Sequence, residues 1–263
     1  MAFRERRTYR GTPLSCFIGR KMVFRAHWHD EIEIVLGLEG STVVGVGGTE
    51  RALGRGELAV AFPGDIHYYA STDESSRALL LIYQRPGLRQ RGALGELSRF
   101  IPKGEDRSAA ETLMHSILRE AGRGERADEK ILAGLAQALS AHLERAASAE
   151  ASPLPEATRD ERLKRAIEYI ANNATRDVPL TEAAEVAGLS PCHFSRLLSR
   201  AVGSNYRTFL NSVRIEEAER LVRDTDLPFT EVAYESGFES VRAFNRAFRK
   251  LTGRTPSLAR KNP

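Results

Sequence analysis

The feature that most constrains this chain is one pattern written twice between Pro179 and Pro256. LTEAAEVAGLSPCHFSRLLSRAVG begins at Leu180, and FTEVAYESGFESVRAFNRAFRKLTG begins at Phe229. Thr181 pairs with Thr230, Glu182 with Glu231, Ala184 with Ala233 and Gly188 with Gly237 at one offset. After one extra residue in the second copy, Phe194 pairs with Phe244, Arg196 with Arg246 and Gly203 with Gly253. Such a repeat implies repeated structure. Each copy reads as a short helix, a tight turn holding glycine, and a second helix. In the first copy Thr181 is expected to cap the opening helix and Gly188 to supply a positive φ or a close approach at its end. Ser190 and Pro191 start the next helix as cap and first residue. Phe194, Leu197 and Leu198 then form an apolar stripe, with His193, Arg196 and Arg200 largely off it. That is the outline of a helix-turn-helix, whose second helix can enter the DNA major groove.

Charge follows the same plan. From Val186 to Ile215 there are four Arg and no acid, and from Ser240 to Pro263 seven Lys or Arg and no acid. Acids sit on the preceding helices, at Glu182, Glu185, Glu231 and Glu235. A phosphate-contacting face needs this distribution. Ordinary solvated helix faces would explain any single arginine, but they explain the repeated arrangement poorly. The net charge of +4 over 263 residues agrees with a polyanionic partner.

The stretch from about Asp160 to Lys261 resembles the DNA-binding domain of the AraC/XylS family of bacterial transcription regulators. The resemblance is carried by Arg214, Ile215 and Ala218, by Val232, Ala233, Gly237 and Phe238, by the run Phe244 to Lys250, and by Gly253 to Pro256. It implies two helix-turn-helix units joined by one long helix and addressing successive major-groove segments on one side of the duplex. Val241, Arg242 and Ala243 depart from the family wording, and Cys192 with His193 occupy the matching part of the first unit. Those positions fall where target sequence is read, so no operator is inherited with the fold. The linking helix, from about Tyr206 to Val222, would span roughly 25 Å against a groove repeat of about 34 Å. Its residues Phe209, Leu210, Val213, Ala218 and Leu221 are expected to face the two units. Candidate base-reading residues are His193, Arg196, Ser240, Arg242, Asn245 and Arg246; Arg200, Arg207, Arg249 and Lys250 are assigned to the DNA backbone.

The first hundred residues have another texture. FIGRKMVFRAHWHD, EIEIVLGLEG, STVVGVGGTE, GELAVAFPGD and ALLLIYQR alternate polar and apolar positions or run β-branched, with glycine at the joints, which indicates short strands in a sandwich or barrel. His27, His29, Glu31 and Glu33 share a parity and would point one way on a strand. With His67 after the Pro63-Gly64 turn, His27, His29 and Glu33 make a three-histidine, one-carboxylate set for a divalent transition metal. The wording is similar to the cupin pattern, except that Phe62 takes the usual proline position. In AraC-type regulators such residues line or brace an effector cavity without needing metal, so both readings stand, with no metal as the default. The expected effector pocket is His27, His29, Glu31, Glu33, His67 and Tyr69. Trp28, Tyr68 and Tyr69 also suit barrel packing.

Two amphipathic helices follow, with Ala109, Leu113, Ile117 and Leu118, then Ile131, Leu135, Leu139 and Leu143 at helical spacing, broken by GRGER at Gly122 to Arg126. They would pack on the barrel or on a second subunit, where the resemblance implies dimer contacts. The expected organisation is an all-β cupin or jelly-roll barrel over 1–105, helices over 106–148, a linker over 149–160 and an all-α double helix-turn-helix domain over 161–261. The two cysteines, Cys16 and Cys192, suggest neither a disulfide scaffold nor a metal cluster. No apolar run is long enough to cross a bilayer and the start lacks a hydrophobic signal core, so the chain reads as cytoplasmic. The expected function is an effector-responsive, sequence-specific transcription factor that binds double-stranded DNA as a homodimer. Activation through RNA polymerase is its commoner direction in such regulators, and the effector could be a sugar, a small acid or an aromatic compound. The rivals are a metal-dependent cupin enzyme fused to a DNA-binding domain and a non-specific architectural DNA-binding protein.

Overall fold

The computed structural model describes residues 14–84, 97–149 and 161–261. The expected linker lies outside the described residues from 150 on, Ala149 closing the helix before it. Two compact units divide between residues 159 and 160.

Among the described residues the first unit has nine strands: β1 (Leu14–Arg20), β2 (Val23–His27), β3 (Ile32–Glu39), β4 (Thr42–Val46), β5 (Thr49–Leu53), β6 (Leu58–Ala61), β7 (His67–Ala70), β8 (Arg77–Tyr83) and β9 (Phe100–Ile101). They pair antiparallel in two sheets, β1-β8-β3-β6-β9 and β2-β7-β4-β5. Strands β3 and β8 are apolar on both faces because both faces are covered. Val35 and Leu80 point inward to meet Val44, Val46 and Tyr69 of the other sheet. Ile34, Leu36, Leu79 and Leu81 point outward, are fully buried, and contribute about 1.5–3 kcal/mol each by that burial. Glu33 has the inward parity, which carries a carboxylate between the sheets.

The outward face is covered by helices α1 (Glu105–Ala121) and α2 (Glu129–Ala149). A 3-10 turn at Gly124–Arg126 separates them, as the GRGER break suggested. Asp128 caps α2, its carboxylate accepting from the backbone N–H of Lys130 at 2.8 Å and of Ile131 at 3.2 Å. The buried stripe of α1 is Ala110, Met114 and Ile117, one position round from the expected Ala109 and Leu113; in α2 Leu132 is buried and Ile131 is exposed. Ile117, Leu139 and Leu143 are buried as expected, and Leu113, Leu118 and Leu135 pack partly buried against the same core. The pair packs on its own sheet, with Tyr83 and Ser140 hydroxyls 2.6 Å apart across the seam.

The second unit holds α3 (Glu161–Asn173), α4 (Leu180–Val186), α5 (Pro191–Val202), α6 (Tyr206–Asp224), α7 (Phe229–Glu235), α8 (Val241–Thr252) and α9 (Pro256–Lys261). Helices α4 and α7 start 49 residues apart and α5 and α8 start 50 apart (229 − 180 and 241 − 191), so the extra residue lies in the second turn. Gly188 and Gly237 have φ of +63° and +87°, and Gly203 and Gly253 end α5 and α8 in the left-handed region at +67° and +72°. Ser190 caps α5 with Pro191 in its first turn, and Ser240 caps α8. Thr181, expected as a cap, lies inside α4 instead. Pro179 is the N-cap residue, and its carbonyl accepts the first helical bond from Ala183 N–H at 3.2 Å. Pro228 does the same for Val232 in the second copy. The fixed φ of proline suits the chain entering a helix, so no side-chain cap is needed.

Helix α6 has 19 residues, about 28 Å of rise, and buries Phe209, Leu210, Val213, Ala218 and Leu221 against its neighbours. Arg214 within it is buried and donates from Nε to the Ala174 carbonyl at 2.7 Å and from a terminal nitrogen to the Arg176 carbonyl at 3.0 Å. Those carbonyls belong to the turn after α3 and have no helical partner, so the guanidinium fork satisfies them. Gly237 presses on the same turn from the second repeat. A Cβ there would lie 2.5 Å from the Ala174 carbonyl oxygen and 2.7 Å from Thr175 Cα.

Candidate functional site

In α5 the buried side is Phe194, Leu197 and Leu198, and His193, Arg196 and Arg200 are exposed. In α8 the buried side is Phe244, Ala247 and Phe248, and Arg242, Asn245, Arg246, Arg249 and Lys250 are exposed. Spacings of three and four residues put each exposed set on one helix face. Arg207, at the start of α6, is also exposed. Ser240 is exposed, but its hydroxyl oxygen accepts from Ala243 N–H at 3.2 Å, so helix capping is the role its contacts define.

Several arginines elsewhere in this unit are engaged, although Arg165 on α3 is exposed and unpaired among the described residues. Arg176 pairs with Glu182, Arg220 with Glu217, Arg223 with Asp224, and Arg260 donates to the Leu227 carbonyl. Among the described residues, Arg196, Arg200, Arg207, Arg242, Arg246, Arg249 and Lys250 make no ion pair or side-chain hydrogen bond. Long cations left unpaired on two equivalent helices are free to meet phosphates and base edges.

The second site lies inside the β unit. The parity argument assumed one continuous strand, but β2 ends at His27 and β3 begins at Ile32, so His29 and Glu31 lie in a turn. The turn and strand β7 assemble the cluster instead. His27 pairs across the strands with His67, their rings 4.1 Å apart, and Glu33 approaches from the opposing sheet. His29 Nε2 lies 3.0 Å from Glu33 Oε2, and His67 Nε2 lies 3.6 Å from it. Tyr69 donates its hydroxyl to Glu33 Oε1. The ligand atoms of His27, His29, Glu33 and His67 all fall within 4.8 Å of one another, and each residue is 5% exposed or less. Glu31 does not join them; its carboxylate faces Gln84 and the Nδ1 side of His29.

A cavity of about 360 Å³ opens above this cluster. His27, Glu33 and Tyr69 line it, together with Phe17, Phe24, Leu80 and the bases Arg20 and Lys21, while His29 and His67 stand behind. Tyr68 does not line the cavity; it covers Gly45 on the neighbouring strand and bonds Glu50. Trp28 is buried.

Electrostatics inside the cluster are set by burial and by its own members. Burial lowers the His27 pKa well below its ordinary value, and His67 adds to that. Burial would raise Glu33, but the imidazoles of His29 and His67 hold it well below the usual carboxylate range. Burial also works to lower His67, and the neighbouring Glu33 carboxylate outweighs it, so His67 is raised. Cys16 lies apart on β1, where burial pushes its thiol up to about 12; it and Cys192 are free.

Two residues that sequence reasoning passed over position the cluster. Asp65 accepts from Phe62 N–H at 3.0 Å and closes the turn that carries His67. Arg99 holds Asp65 through two bonds, at 2.8 and 3.0 Å, and stacks over Phe62. Gly64, with φ +82°, ties the same turn to the His29 carbonyl at 2.8 Å. The Pro63-Gly64-Asp65 wording was the available signal for Asp65, but Arg99 is too remote in sequence to be paired with it.

The family model described as an AraC-like ligand binding domain matches residues 14–152, and one described as a helix-turn-helix domain matches residues 183–262. An uncharacterised HTH-type transcriptional regulator of Staphylococcus aureus is 33% identical over 101 residues, 38% of this chain and 14% of that protein. The HTH-type transcriptional regulator GlxA of Rhizobium meliloti is 34% identical over 86 residues, 33% of this chain and 26% of that protein. The matches thus span about a seventh and a quarter of those relatives. Among solved structures, fatty-acid-bound ToxT from Vibrio cholerae aligns over 94% of both chains at 14% identity and a TM-score of 0.49. The DNA-binding domain of AdpA in complex with a target DNA aligns over 38% of this chain and 90% of that one, at 26% identity and a TM-score of 0.37. No helix among the described residues is long and apolar enough to cross a membrane.

Proposed function

The chain belongs to the AraC family of transcription regulators, and from that premise we propose that it binds a defined site on double-stranded DNA and alters transcription when a small molecule enters the β unit. The observation that carries this reading is the pair of equivalent helices, α5 and α8, each of which gathers exposed, unpaired cations on one face. In this reading His193, Arg196, Arg242, Asn245 and Arg246 read base edges, and Ser240 sets the start of α8 with its hydroxyl hydrogen left to donate. Arg200, Arg207, Arg249 and Lys250 hold phosphates and fix register.

The β unit acts as the sensor, with His27, Glu33 and Tyr69 at the floor of the effector cavity. We read it as non-enzymatic because the relatives are regulators and because an enzyme would leave the attached DNA-reading unit unexplained. A ligand controls such a protein only by binding its two arrangements with different affinity. Homodimerisation through the outer surface of α1 and α2, where Ile131 is exposed, activation through RNA polymerase and a cytoplasmic location complete the proposal. Selection of bound duplexes from random DNA, with and without cell extract, tests it. The expected result is one enriched site with two halves about 10 base pairs apart, shifted in affinity by extract. Uniform recovery of all sequences would overturn it in favour of an architectural protein.

A further inference from the structure

Helices α5 and α8 present different side chains on one and the same scaffold. Ser190 and Ser240 cap them, Phe194 and Phe244 are fully buried beneath them, and Gly203 and Gly253 end them in the left-handed region. Residues 50 apart therefore hold the same place on the two helices. Arg196 matches Arg246 and Arg200 matches Lys250, so each helix keeps one such pair of cations. Three other places do not match: Cys192 stands against Arg242, Ser195 against Asn245 and Ser199 against Arg249. Spacings of three and four residues put 192, 195, 196 and 199 on one stripe of α5, and 242, 245, 246 and 249 on the same stripe of α8. Arg242, Asn245 and Arg249 are exposed and make no side-chain hydrogen bond among the described residues. The α8 stripe is thus long and rich in donors, whereas that of α5 is short except at Arg196.

We propose that the two halves of the bound DNA site carry unequal sequence requirements, set by Cys192 and Ser195 on α5 and by Arg242 and Asn245 on α8. Residues near the start of a recognition helix are the ones that reach base edges, and these four lie there. An arginine spans guanine O6 and N7 with two bonds and an asparagine spans adenine N6 and N7, each worth about 5- to 150-fold against the wrong base. Under α8, Arg242 and Arg246 select two guanines and Asn245 selects an adenine. Under α5, Arg196 selects the guanine equivalent to that of Arg246. Cys192 is a weak donor and Ser195 carries a single hydroxyl, so neither spans two atoms of a base. His193 stands where α8 has Ala243. Its neutral ring offers a donor on one nitrogen and an acceptor on the other, which suits more than one base. The second head therefore makes most of the choice of site, and the first follows it with one fixed guanine. This inference rests on the reading in which both helices enter the major groove, and adds what each of them requires there.

The test selects duplexes from a random pool with the full chain and reads the base preference at each position. The expected site has one half fixed at two guanines and an adenine, and a second half fixed at one guanine. Cys192→Arg combined with Ser195→Asn should write the missing guanine and adenine into the weaker half. Arg242→Cys combined with Asn245→Ser should erase them from the stronger one. Each base gained or lost should change relative affinity by about 5- to 150-fold in competition with the wild-type site. None of the four side chains is buried, and ellipticity at 222 nm establishes that each variant keeps its helices. A loosened fold would weaken binding without moving a base preference from one half to the other. A site whose halves are equally constrained, or exchanges that leave the preferred bases unchanged, overturns this inference while the regulator reading stands. Recovery of all sequences alike overturns the regulator reading and this inference with it.

Discussion

Gly188 and Gly237 hold equal places in the two repeats, yet they should respond unequally to the same substitution. Both have a positive φ, +63° and +87°. An added methyl at Gly188 meets no atom within 4 Å, whereas at Gly237 it falls 2.5 Å from the Ala174 carbonyl oxygen, 2.7 Å from Thr175 Cα and 2.8 Å from Thr175 C. Left-handed backbone costs a non-glycine residue about 1–2 kcal/mol, offset by about 0.4–1 kcal/mol from the stiffer unfolded chain, so Gly188→Ala should lose roughly 1 kcal/mol. Gly237→Ala bears that loss as well as an overlap with backbone that cannot rotate aside, worth about 1–3 kcal/mol, for a total of roughly 2–4 kcal/mol. At about 4–8 °C per kcal/mol for a domain of this size, the second variant should melt well below the first. Because the chain has two units, two probes are needed. Ellipticity at 222 nm follows the helices, and Trp28, the single tryptophan, reports on the β unit. Similar losses from the two variants, or a larger one from Gly188→Ala, would refute the assignment of Gly237 as a close-approach position.

Arg242→Ala should lower affinity for the selected site by about 10- to 100-fold and relax base preference at one position, whereas Lys250→Ala should weaken all duplexes alike and reduce the salt slope by about one; competition titrations at several salt concentrations separate the two. Arg214→Leu leaves the Ala174 and Arg176 carbonyls without their donor and should cost about 2–3 kcal/mol by urea denaturation of the helical unit. The Glu182 carboxyl is lowered from its ordinary 4.5 to about 2 by Arg176 and then Tyr169. Its contribution to stability is therefore complete above pH 4.5 and is lost as pH falls toward 2. Arg176→Met should be less stable at neutral pH and show a shallower loss across that window, read by denaturation midpoints at successive pH values.

Repetition made the helical unit legible. The change of offset between Gly188/Gly237 and Phe194/Phe244 located the longer turn from letters alone, because helix geometry translates spacing into position. The Thr181 cap failed because Thr, Ser, Asn and Asp advertise caps, while Pro179 and Pro228 achieve the same entry through a fixed φ. In the β unit, residue types identified the cluster but parity misplaced Glu31, since a turn at 28–31 breaks the alternation on which parity depends. Arg99 and Asp65 are 34 residues apart, and no local pattern predicts a contact made by tertiary folding. For α1 and α2, periodicity gave the helices and the buried Ile117, Leu139 and Leu143, but not that Met114 and Leu132 would lie deeper than the neighbouring Leu113 and Ile131.

Arg214 and Gly237 grip the same short turn after α3, one from the connecting helix and one from the second repeat. The distance between α5 and α8 is thereby a property of the protein, and any misfit in an operator must be absorbed by the duplex. One base pair inserted between the half-sites swings the far half round by about 34–36°, and the strain falls on steps the protein never touches. Pliable pyrimidine–purine steps in the middle of an operator should then raise affinity and stiff A-tracts lower it, giving the spacer a sequence preference of its own.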